Sequence, residues 1–324
     1  MKLKRAPRAE VMVDDDAEHD LLHVVLRGLG QSQKTLPPYL FYDARGSELF
    51  EAITRLPEYY QTRTEISILD ANARDIAASI PDGSVLIELG SGSSIKTELI
   101  LAAKPDLRAY IPIDVSSSAL DLAEARLLEK FPQLDIRPIV GDFKHAIALP
   151  GDLQSQPRVG FFPGSTIGNS SPREACHLLS TLRTGLLSGG TFIVGADTKK
   201  DEEILQRAYD DSAGVTAQFN LNLLARLNRE LGANFDLTSF RHKALYDAQI
   251  GRIEMHLESL VDQVVSIGGT RIAFRRGETI HTENSYKYTI NEFQALCRSS
   301  GWRIDAVWSD AKDFVCVYSL TDGT

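Results

Sequence analysis

The chain has 324 residues, of which 43% are hydrophobic, and its formal net charge is -9. This length and composition suffice for one large or two medium globular domains. The acidic balance argues against a broad nucleic-acid surface, because binding a phosphate backbone requires an excess of Lys and Arg. The three cysteines are widely spaced and form no CxxC pair, which argues against a disulfide framework or a zinc site.

The N-terminal segment carries basic residues that no apolar core follows, so it does not resemble a secretory signal. No uncharged apolar stretch reaches the roughly 18 residues that a membrane-spanning helix needs. We therefore expect a cytoplasmic protein without a membrane partner. Residues 1–14 are expected to form a flexible tail, and the lack of an obvious apolar stripe favours a monomer.

The first half of the chain predicts helices, followed by alternating strands and helices. Residues 17–30 predict an amphipathic helix, "LPPYLFYD" predicts an extended segment or turn, and residues 46–80 predict two helices separated at Pro57. Short apolar strands are then predicted at 84–90, 109–115, 135–143, 158–166 and 189–197, with helical segments between most of them. Strands that are apolar on both faces and alternate with helices indicate parallel βαβ units.

The second half of the chain predicts a different pattern of helices and strands. Residues 200–250 are expected to be mostly helical, and residues 251–267 and 270–289 predict longer strands with polar alternation. A helix is predicted at 290–301 and a closing hairpin at 302–320. We therefore predict two domains. The doubly wound domain takes residues 64–199 plus 288–324, and the discontinuous second domain takes residues 15–63 plus 200–287.

The stretch "ELGSGSSI" places Gly90 and Gly92 where the first predicted strand turns into a helix. Glycines there allow the backbone to approach a ligand closely. A dinucleotide-binding turn needs a third glycine or alanine, and this chain has Ile95 instead. Together with Asp114 at the end of the next strand, the pattern favours S-adenosylmethionine, which has a ribose diol to bind and no phosphate.

Further candidates follow the other strands. Asp142 and Phe143, in "GDF", are positioned to meet an adenine amine and ring. Lys96 is a candidate for the cofactor's carboxylate, with a solvated helix lysine as the alternative. The fourth strand ends in "FFPGSTIGNSSP", whose backbone donors, hydroxyls and Asn169 amide suit a small zwitterionic methyl acceptor.

Segments in both halves of the chain together resemble a known family. They are "FYDARGSELFEAITRLPEYYQTRTE", "ELGSGSSIKT", "FPGSTIGN", "RIEMHLES" and "IHTENSYKY". In this order they are similar to the histidine-specific Nα-methyltransferases of ergothioneine biosynthesis. The resemblance implies an α/β fold: a class I (Rossmann-like) methyltransferase sheet with a second, discontinuous α+β substrate-binding domain. It also implies S-adenosylmethionine as donor, and L-histidine with its mono- and dimethyl forms as acceptor on the way to hercynine.

The resemblance also implies the site residues. Cofactor contacts are expected at Gly90, Lys96, Asp114, Asp142 and Phe143. Histidine contacts are expected at Tyr59, Asn169, Tyr209, Glu283, Asn284 and Ser285, and further pocket positions at Tyr42, Gly164, Thr166 and Met255. No metal is expected, since His145, His256 and His281 show no coherent metal spacing.

These residue types suit the implied reaction. A neutral imidazole has one donor and one acceptor, so Glu283 can accept from one ring nitrogen and Ser285 can donate to the other. Asn169 and Tyr209 can donate to the substrate carboxylate, which leaves the α-amine aimed at the methyl group. Tyr42 is expected to orient that amine, and its ring tolerates the growing cation. The expected catalysis is positioning, without a strong base.

Alternative functions stay open on the sequence alone. One is an Nα-methyltransferase of another amino acid such as tryptophan, for which changes would be expected at Glu283 and Met255. Another is a cofactor-binding regulator without catalysis, against which the intact "GSTIGN" and "ENS" stretches argue. A nicotinamide oxidoreductase is disfavoured by Ile95 in the glycine-rich turn.

Overall fold

The strands that carry the predicted ligand turns lie side by side in one seven-stranded sheet. A computed structural model describes residues 17–145 and 147–323, and the predicted tail at residues 1–14 lies outside them. Its strands are β1 (Lys34–Thr35), β2 (Val85–Leu89), β3 (Ala109–Asp114), β4 (Ile139–Val140), β5 (Arg158–Phe162), β6 (Thr191–Asp197), β7 (Phe240–Asp247), β8 (Arg252–Ser259), β9 (Gln263–Ile267), β10 (Thr270–Phe274), β11 (Thr279–Tyr286), β12 (Trp302–Ser309) and β13 (Val315–Asp322).

Helices connect these strands and cover the sheet. They are α1 (Ala17–Leu29), α2 (Ala44–Ile53), α3 (Tyr60–Ala71), α4 (Ala73–Ala78), α5 (Thr97–Ala103), α6 (Ser117–Lys130), α7 (Pro172–Thr184), α8 (Glu202–Tyr209), α9 (Val215–Leu231) and α10 (Ile290–Ser299). Within the described ranges, no helix has the length and apolar character needed to cross a membrane.

The large sheet has the strand order β12-β13-β6-β5-β2-β3-β4. Its central strands β6, β5, β2, β3 and β4 are parallel, while β13 runs antiparallel to both of its neighbours. The chain moves outward from β2 through β3 and β4 and then returns to β5 on the other side of β2. In open α/β sheets, ligands bind at the carboxyl ends of the strands beside such a reversal. The predicted Rossmann-like class I sheet is confirmed.

A second, smaller sheet has the order β1-β11-β8-β7, and β9 and β10 form a separate hairpin. Strand β11 pairs antiparallel with β8, so that Glu283 lies opposite Met255 and Ser285 opposite Ile253. Side chains alternate along a strand, which places these four residues on one face. The division of the chain into two domains at the predicted boundaries stays a prediction.

Three segments differ from the sequence-based expectation. Residues 240–247, expected to be helical, form β7, because the segment pairs along its length with β8; its buried residues Phe240 and Ala244 are four apart, a spacing that also fits a helix. Residues 46–80 form three helices, since the chain turns at Asn72, whose amide donates to the Ile68 carbonyl at 2.8 Å. The third parallel strand is reduced to β4, because Pro138 just before it has no N–H for the ladder.

One apolar core connects the large sheet to the smaller one. It includes Phe161 of β5 and Val317 of β13 together with Leu224 of α9 and Ile253 of β8, each at most 1% exposed. Because this packing is continuous, the carboxyl ends of the parallel strands are held against the face of β11 and β8.

Glu88 anchors the first glycine turn from inside the molecule. Its side chain, on β2, is buried and accepts hydrogen bonds from the Thr97 hydroxyl at 2.5 Å and from the Tyr110 hydroxyl. Burial raises the pKa of Glu88 to about 7, and both hydrogen bonds, with the positive charge of Lys96, oppose that rise. The acid that precedes Gly90 therefore ties β2, β3 and the start of α5 together and does not line the ligand site.

We expect the Glu88→Gln variant to become more stable relative to the wild type as the pH rises from about 5 to about 8, by up to about 3 kcal/mol. The folded-state pKa lies above the unfolded one, so the wild type has its full stability below the unfolded pKa and loses it as the pH rises through the folded pKa. Urea unfolding at both pH values measures the difference.

The exposed Glu129→Gln variant removes the same charge and serves as the control, with a pH dependence like that of the wild type. Equal pH dependence of the wild type and Glu88→Gln would show that Glu88 keeps an ordinary pKa in the folded protein.

Candidate functional site

A cradle for a ligand forms where β2 and β3 end. Gly90 and Gly92 adopt left-handed backbone conformations with φ of 65° and 49°. The Asp114 carboxylate accepts hydrogen bonds from the backbone N–H groups of Gly92, at 2.8 Å, and Ser116, at 2.9 Å. Burial raises the pKa of Asp114, and these N–H groups oppose the rise. The carboxylate is thus fixed at the rim of the glycine turn, with lone pairs left for a ligand.

The loop after β4 closes one side of this cradle. A Cβ atom at Gly90 would lie 3.4 Å from the Phe143 ring. That ring packs edge-on against the Phe162 ring, with the ring centroids 5.2 Å apart. The Asp142 carboxylate accepts from the backbone N–H of Lys144 at 2.9 Å and is partly exposed. The cradle therefore offers one aromatic face and a second carboxylate.

Lys96 lies at the other end of the cradle and is held by a buried acid. Its Nζ lies 2.5 Å from the Glu65 carboxylate of α3, and its side chain is 15% exposed. The same carboxylate accepts from the backbone N–H of Gly164 at 2.8 Å. The alternative of a solvated lysine is therefore wrong. Gly195 makes room for this contact, since a Cβ there would lie 1.9 Å from Glu65 Oε1.

The loop after β5 runs from the cradle to the smaller sheet. Gly164 and Ser165 have positive φ, and Thr166–Asn169 forms one 3₁₀ turn. The Thr166 hydroxyl donates to the Pro163 carbonyl at 2.9 Å, whereas the Asn169 amide makes no hydrogen bond to any described residue. A capping box at Ser171 then starts α7 and fixes the end of the loop.

A small cavity of about 20 Å³ lies on the face of β11 that carries Glu283. Its lining residues are Phe50, Ile53, Tyr59, Ala208, Tyr209, Thr216, Phe219, Met255 and Glu283. Most of the lining is apolar and aromatic, with a few polar groups, as is usual for small-molecule sites. Burial raises the pKa of Glu283 to about 7, and the positive charge of Lys287 opposes the rise. Within the described structure, no donor pairs with the Glu283 carboxylate.

Three tyrosines surround this carboxylate. Burial raises the pKa of Tyr42, Tyr59 and Tyr209 well above the ordinary value, so their hydroxyls stay neutral. The Tyr59 ring lies 6.2 Å from that of Tyr209. The pKa of Tyr42 is raised first by burial and then by the charges of Glu283 and Asp114. Tyr42 therefore lies within electrostatic range of both the cradle and the cavity.

A buried polar network continues from Ser285. The Tyr209 hydroxyl donates to the Ser285 hydroxyl at 2.7 Å, and Lys287 Nζ donates to both, at 2.9 and 2.8 Å. Lys287 Nζ also pairs with Asp197, at the end of β6, at 2.7 Å. The Tyr60 hydroxyl donates to the same carboxylate at 2.8 Å. The network links β11, α8, β6 and α3.

The structure corrects the prediction for Asn284. Strand alternation turns its side chain to the face opposite Glu283 and Ser285, where its strand neighbour is Glu254. Asn284 does not line the cavity, and Ser285 adjoins it through the hydrogen bond with Tyr209. Of the other predicted residues, Tyr59, Tyr209, Met255 and Glu283 line it.

Two histidines that show no coherent metal spacing in the sequence come together on that opposite face. His281 lies opposite His256 across β11 and β8, and their rings stack at 4.7 Å with an interplanar angle of 20°. With Glu254, their possible ligand atoms lie within 4.8 Å of one another. Ring lone pairs lie in the ring planes, and nearly parallel planes do not direct them to one point. The prediction that the protein uses no metal stays a prediction.

Sequence reasoning missed Glu65, Asp197 and Lys287. A signal for Lys287 was present, because Glu283, Ser285 and Lys287 are spaced by two residues and such spacing gives a common face on a strand. Glu65 is far in the sequence from Lys96, and Asp197 from Tyr60 and Lys287, and no local pattern indicates these pairings.

Comparison with known proteins identifies relatives along almost the whole chain. The family model described as "Histidine-specific methyltransferase, SAM-dependent" matches residues 19–322. The chain is 42% identical to a histidine N-alpha-methyltransferase of Mycolicibacterium smegmatis, covering 94% of this chain and 96% of that protein. It is 39% identical to a histidine N-alpha-methyltransferase of Mycobacterium tuberculosis, covering 94% and 97%. It is also 29% identical to a 4-dimethylallyltryptophan N-methyltransferase of Aspergillus fumigatus, covering 91% and 92%.

The family model extends through both halves of the chain, including the cradle at the large sheet and the cavity beside β11. The two histidine N-alpha-methyltransferases align with similar completeness. The chain therefore belongs to the histidine-specific, S-adenosylmethionine-dependent methyltransferase family.

Proposed function

We propose that this enzyme transfers methyl groups from S-adenosylmethionine to the α-amino group of L-histidine. Three successive transfers would give the mono- and dimethyl forms and then hercynine, the first step of ergothioneine biosynthesis. The observation that carries the proposal is the unpaired Glu283 carboxylate, which lines the cavity, with the Ser285 hydroxyl on the same face of β11 and hydrogen-bonded to the cavity-lining Tyr209. Family membership supports S-adenosylmethionine as the donor.

The residues of the cradle fit that donor. Asp114 keeps lone pairs for a ribose diol, and Asp142 with Phe143 suits an adenine amine and ring. Lys96 suits the carboxylate of the amino-acid tail, although in the described structure its Nζ pairs with Glu65. Ile95 is 45% exposed and points away from the turn, so the cradle lacks the close helix–strand packing of a pyrophosphate site.

The donor supplies a methyl carbon that is already activated by a sulfonium charge, so the protein need only present a neutral amine in line with it. A peptide α-amine has a pKa near 8, and a nearby cation lowers it. Tyr42 stays neutral because burial raises its pKa, so its hydroxyl can orient the amine without acting as a strong base. A Cβ at Gly164 would lie 3.3 Å from the Thr166 hydroxyl and 3.4 Å from Lys96 Nζ, so Gly164 and Thr166 lie beside the lysine end of the cradle.

Different residues bind the ring and the carboxylate of histidine. Glu283 accepts from one ring nitrogen, and Ser285 donates to the other. Asn169, whose amide makes no hydrogen bond within the described residues, donates to the carboxylate, and Tyr209, which lines the cavity, donates to Ser285. Tyr59 and Met255 enclose the ring. We propose that the enzyme is a metal-free cytoplasmic monomer.

Tryptophan is the alternative substrate, and one relative is named for a tryptophan derivative. Indole has one N–H donor and no acceptor nitrogen. It could satisfy Glu283 but would leave the Ser285 hydroxyl without a partner, which costs binding energy in a buried site. The acceptor of Glu283 together with the donor of Ser285 therefore favours imidazole over indole.

Incubation of the purified protein with S-adenosylmethionine and histidine tests the proposal. Mass spectrometry should show products with one, two and three added methyl groups on the α-nitrogen. A parallel incubation with tryptophan should give far less product. Cofactor binding without methylation of any free amino acid would favour the regulator alternative.

We expect the Glu283→Gln variant to lower kcat/KM for histidine about 100-fold, because a buried hydrogen bond to a charged group is lost. The activity on tryptophan, measured in the same assay, should fall much less. The Glu258→Gln variant on β8, whose carboxylate pairs with Arg241, is the control and should keep wild-type kinetics. A preference for histidine over tryptophan that survives in Glu283→Gln would contradict the assignment.

Histidine binding should also release a proton from Glu283. Since the carboxyl group has a pKa of about 7 in the unliganded protein and accepts a hydrogen bond in the complex, binding favours its ionised form. The affinity of the wild type relative to Glu283→Gln should therefore rise with pH and level off above about pH 7. Calorimetry in two buffers of different ionisation enthalpy measures the proton release, and equal release by both proteins would argue against this assignment.

A further inference from the structure

Lys287 is a buried cation immediately behind the cavity wall. It continues the alternation of Glu283 and Ser285 one residue past the end of β11, on the same face. Its side chain is 0% exposed. It therefore cannot serve as a surface charge, and each of its contacts lies inside the protein.

The three N–H donors of the Lys287 ammonium all have partners. One donates to Asp197 at 2.7 Å, one to the Tyr209 hydroxyl at 2.9 Å and one to the Ser285 hydroxyl at 2.8 Å. An ammonium has three donors and no acceptor, so none remains for a ligand. Any effect of Lys287 on a substrate must pass through the two hydroxyl groups.

These contacts fix the direction of both hydroxyl groups. Each oxygen receives a hydrogen from the ammonium, so its own hydrogen must point away from Lys287. In the described structure Tyr209 donates to Ser285 at 2.7 Å, which leaves the Ser285 hydrogen for an acceptor other than Lys287 and Tyr209. A phenol is the stronger acid of the two hydroxyls and hence the better donor, in agreement with this direction.

We propose that Lys287 is a positioning residue that holds the Ser285 hydroxyl as a donor toward the substrate, directly and through the Tyr209 hydroxyl. The cavity wall then presents a donor from Ser285 beside the acceptor of Glu283, which matches a neutral imidazole ring. Without the ammonium, the Ser285 hydroxyl can turn its lone pair to the ligand and lose this match. The inference rests on histidine being the substrate.

The charge of Lys287 acts on the acceptor as well. It opposes the rise in the pKa of Glu283 that burial causes. The other titratable groups that face Glu283 are Tyr42, Tyr59 and Tyr209, which stay neutral because burial raises their pKa values. Lys287 therefore favours the ionised form of Glu283, which accepts from the ring.

Lys200 provides a matched control. It is a second buried lysine on the same Asp197 carboxylate, with a side chain 5% exposed. It donates to the Tyr60 hydroxyl at 2.7 Å and to the Thr198 carbonyl at 2.6 Å, and it does not contact Ser285 or Tyr209. Removing Lys200 thus removes a buried charge from the same cluster and leaves the two hydroxyls in place.

The test compares the full-length wild type with Lys287→Met and Lys200→Met. Lys287→Met should raise KM for histidine about 10-fold or more, with kcat changed less than about threefold and cofactor affinity unchanged. Its acid limb in the pH profile of histidine affinity should move to higher pH, because Glu283 loses a neighbouring cation. Lys200→Met should keep the wild-type KM and pH profile. Lys287→Gln, which keeps an N–H donor without the charge, should show a smaller increase in KM than Lys287→Met.

A second measurement compares two ligands. Its result for the wild type remains informative even where a variant fails to fold. The pyrrole analogue of histidine keeps the ring N–H and lacks the acceptor nitrogen. The wild type and Lys200→Met should bind histidine about 10-fold more tightly than this analogue. In Lys287→Met the preference should largely disappear, because the Ser285 donor is no longer directed at the second nitrogen.

The outcomes separate this inference from the proposed function. Methylation of histidine by the wild type, with no preference over the pyrrole analogue, would overturn the role of Lys287 and leave the function intact. A folded Lys287→Met variant with the wild-type KM, pH profile and preference for histidine over the pyrrole analogue would also overturn the role of Lys287 and leave the function intact. Failure of the wild type to bind or methylate histidine would overturn both.

Discussion

The contact between the loop after β5 and strand β11 is the constraint on which the rest of the site depends. Gly168 in this loop lies so close to β11 that a Cβ would be 2.6 Å from the Tyr286 carbonyl oxygen. The backbone N–H of Tyr288 donates to the Asp197 carbonyl at 3.1 Å and extends the junction to β6. Because two backbones meet without intervening side chains, the ends of the parallel strands and the cavity wall are held in one fixed relation. A methyl donor at the ends of the parallel strands and an amine acceptor at the cavity wall can therefore be placed with the amine in line with the methyl group.

Two buried acids reinforce the junction, and helix α3 takes part in both. Glu65 of α3 joins Lys96 of the cradle to the Gly164 backbone, and Tyr60 of the same helix donates to Asp197. Burying a charge is costly unless it is paired and hydrogen-bonded. Both acids meet this condition with partners that are distant in the sequence. The electrostatic pairing thus couples the orientation of α3, with Tyr59 at its start, to the two binding regions.

Much of the fold could be predicted from the sequence because the parallel strands are apolar on both faces and end in glycine-rich or acidic turns. Strand β7 could not, since its buried residues are spaced like those of an amphipathic helix and only pairing with β8 makes it a strand. Within the site, the spacing in "ENSYK" indicates that Glu283 and Ser285 share a face, whereas the expectation for Asn284 followed the family resemblance and not this alternation. The pairing of Lys287 with Asp197 depends on tertiary contacts, which no local pattern encodes.

The register of β11 shifts at a bulge between His281 and Glu283. One residue inserted or deleted after this bulge would exchange the two faces of the strand and turn the Asn284 amide inward in place of the acid and the hydroxyl. An evolutionary change of ligand chemistry in this lineage could thus arise by a single-codon length change, with every residue that lines the opposite wall left as it is. Alignments that place a gap in this short segment would mark descendants whose acceptor has diverged.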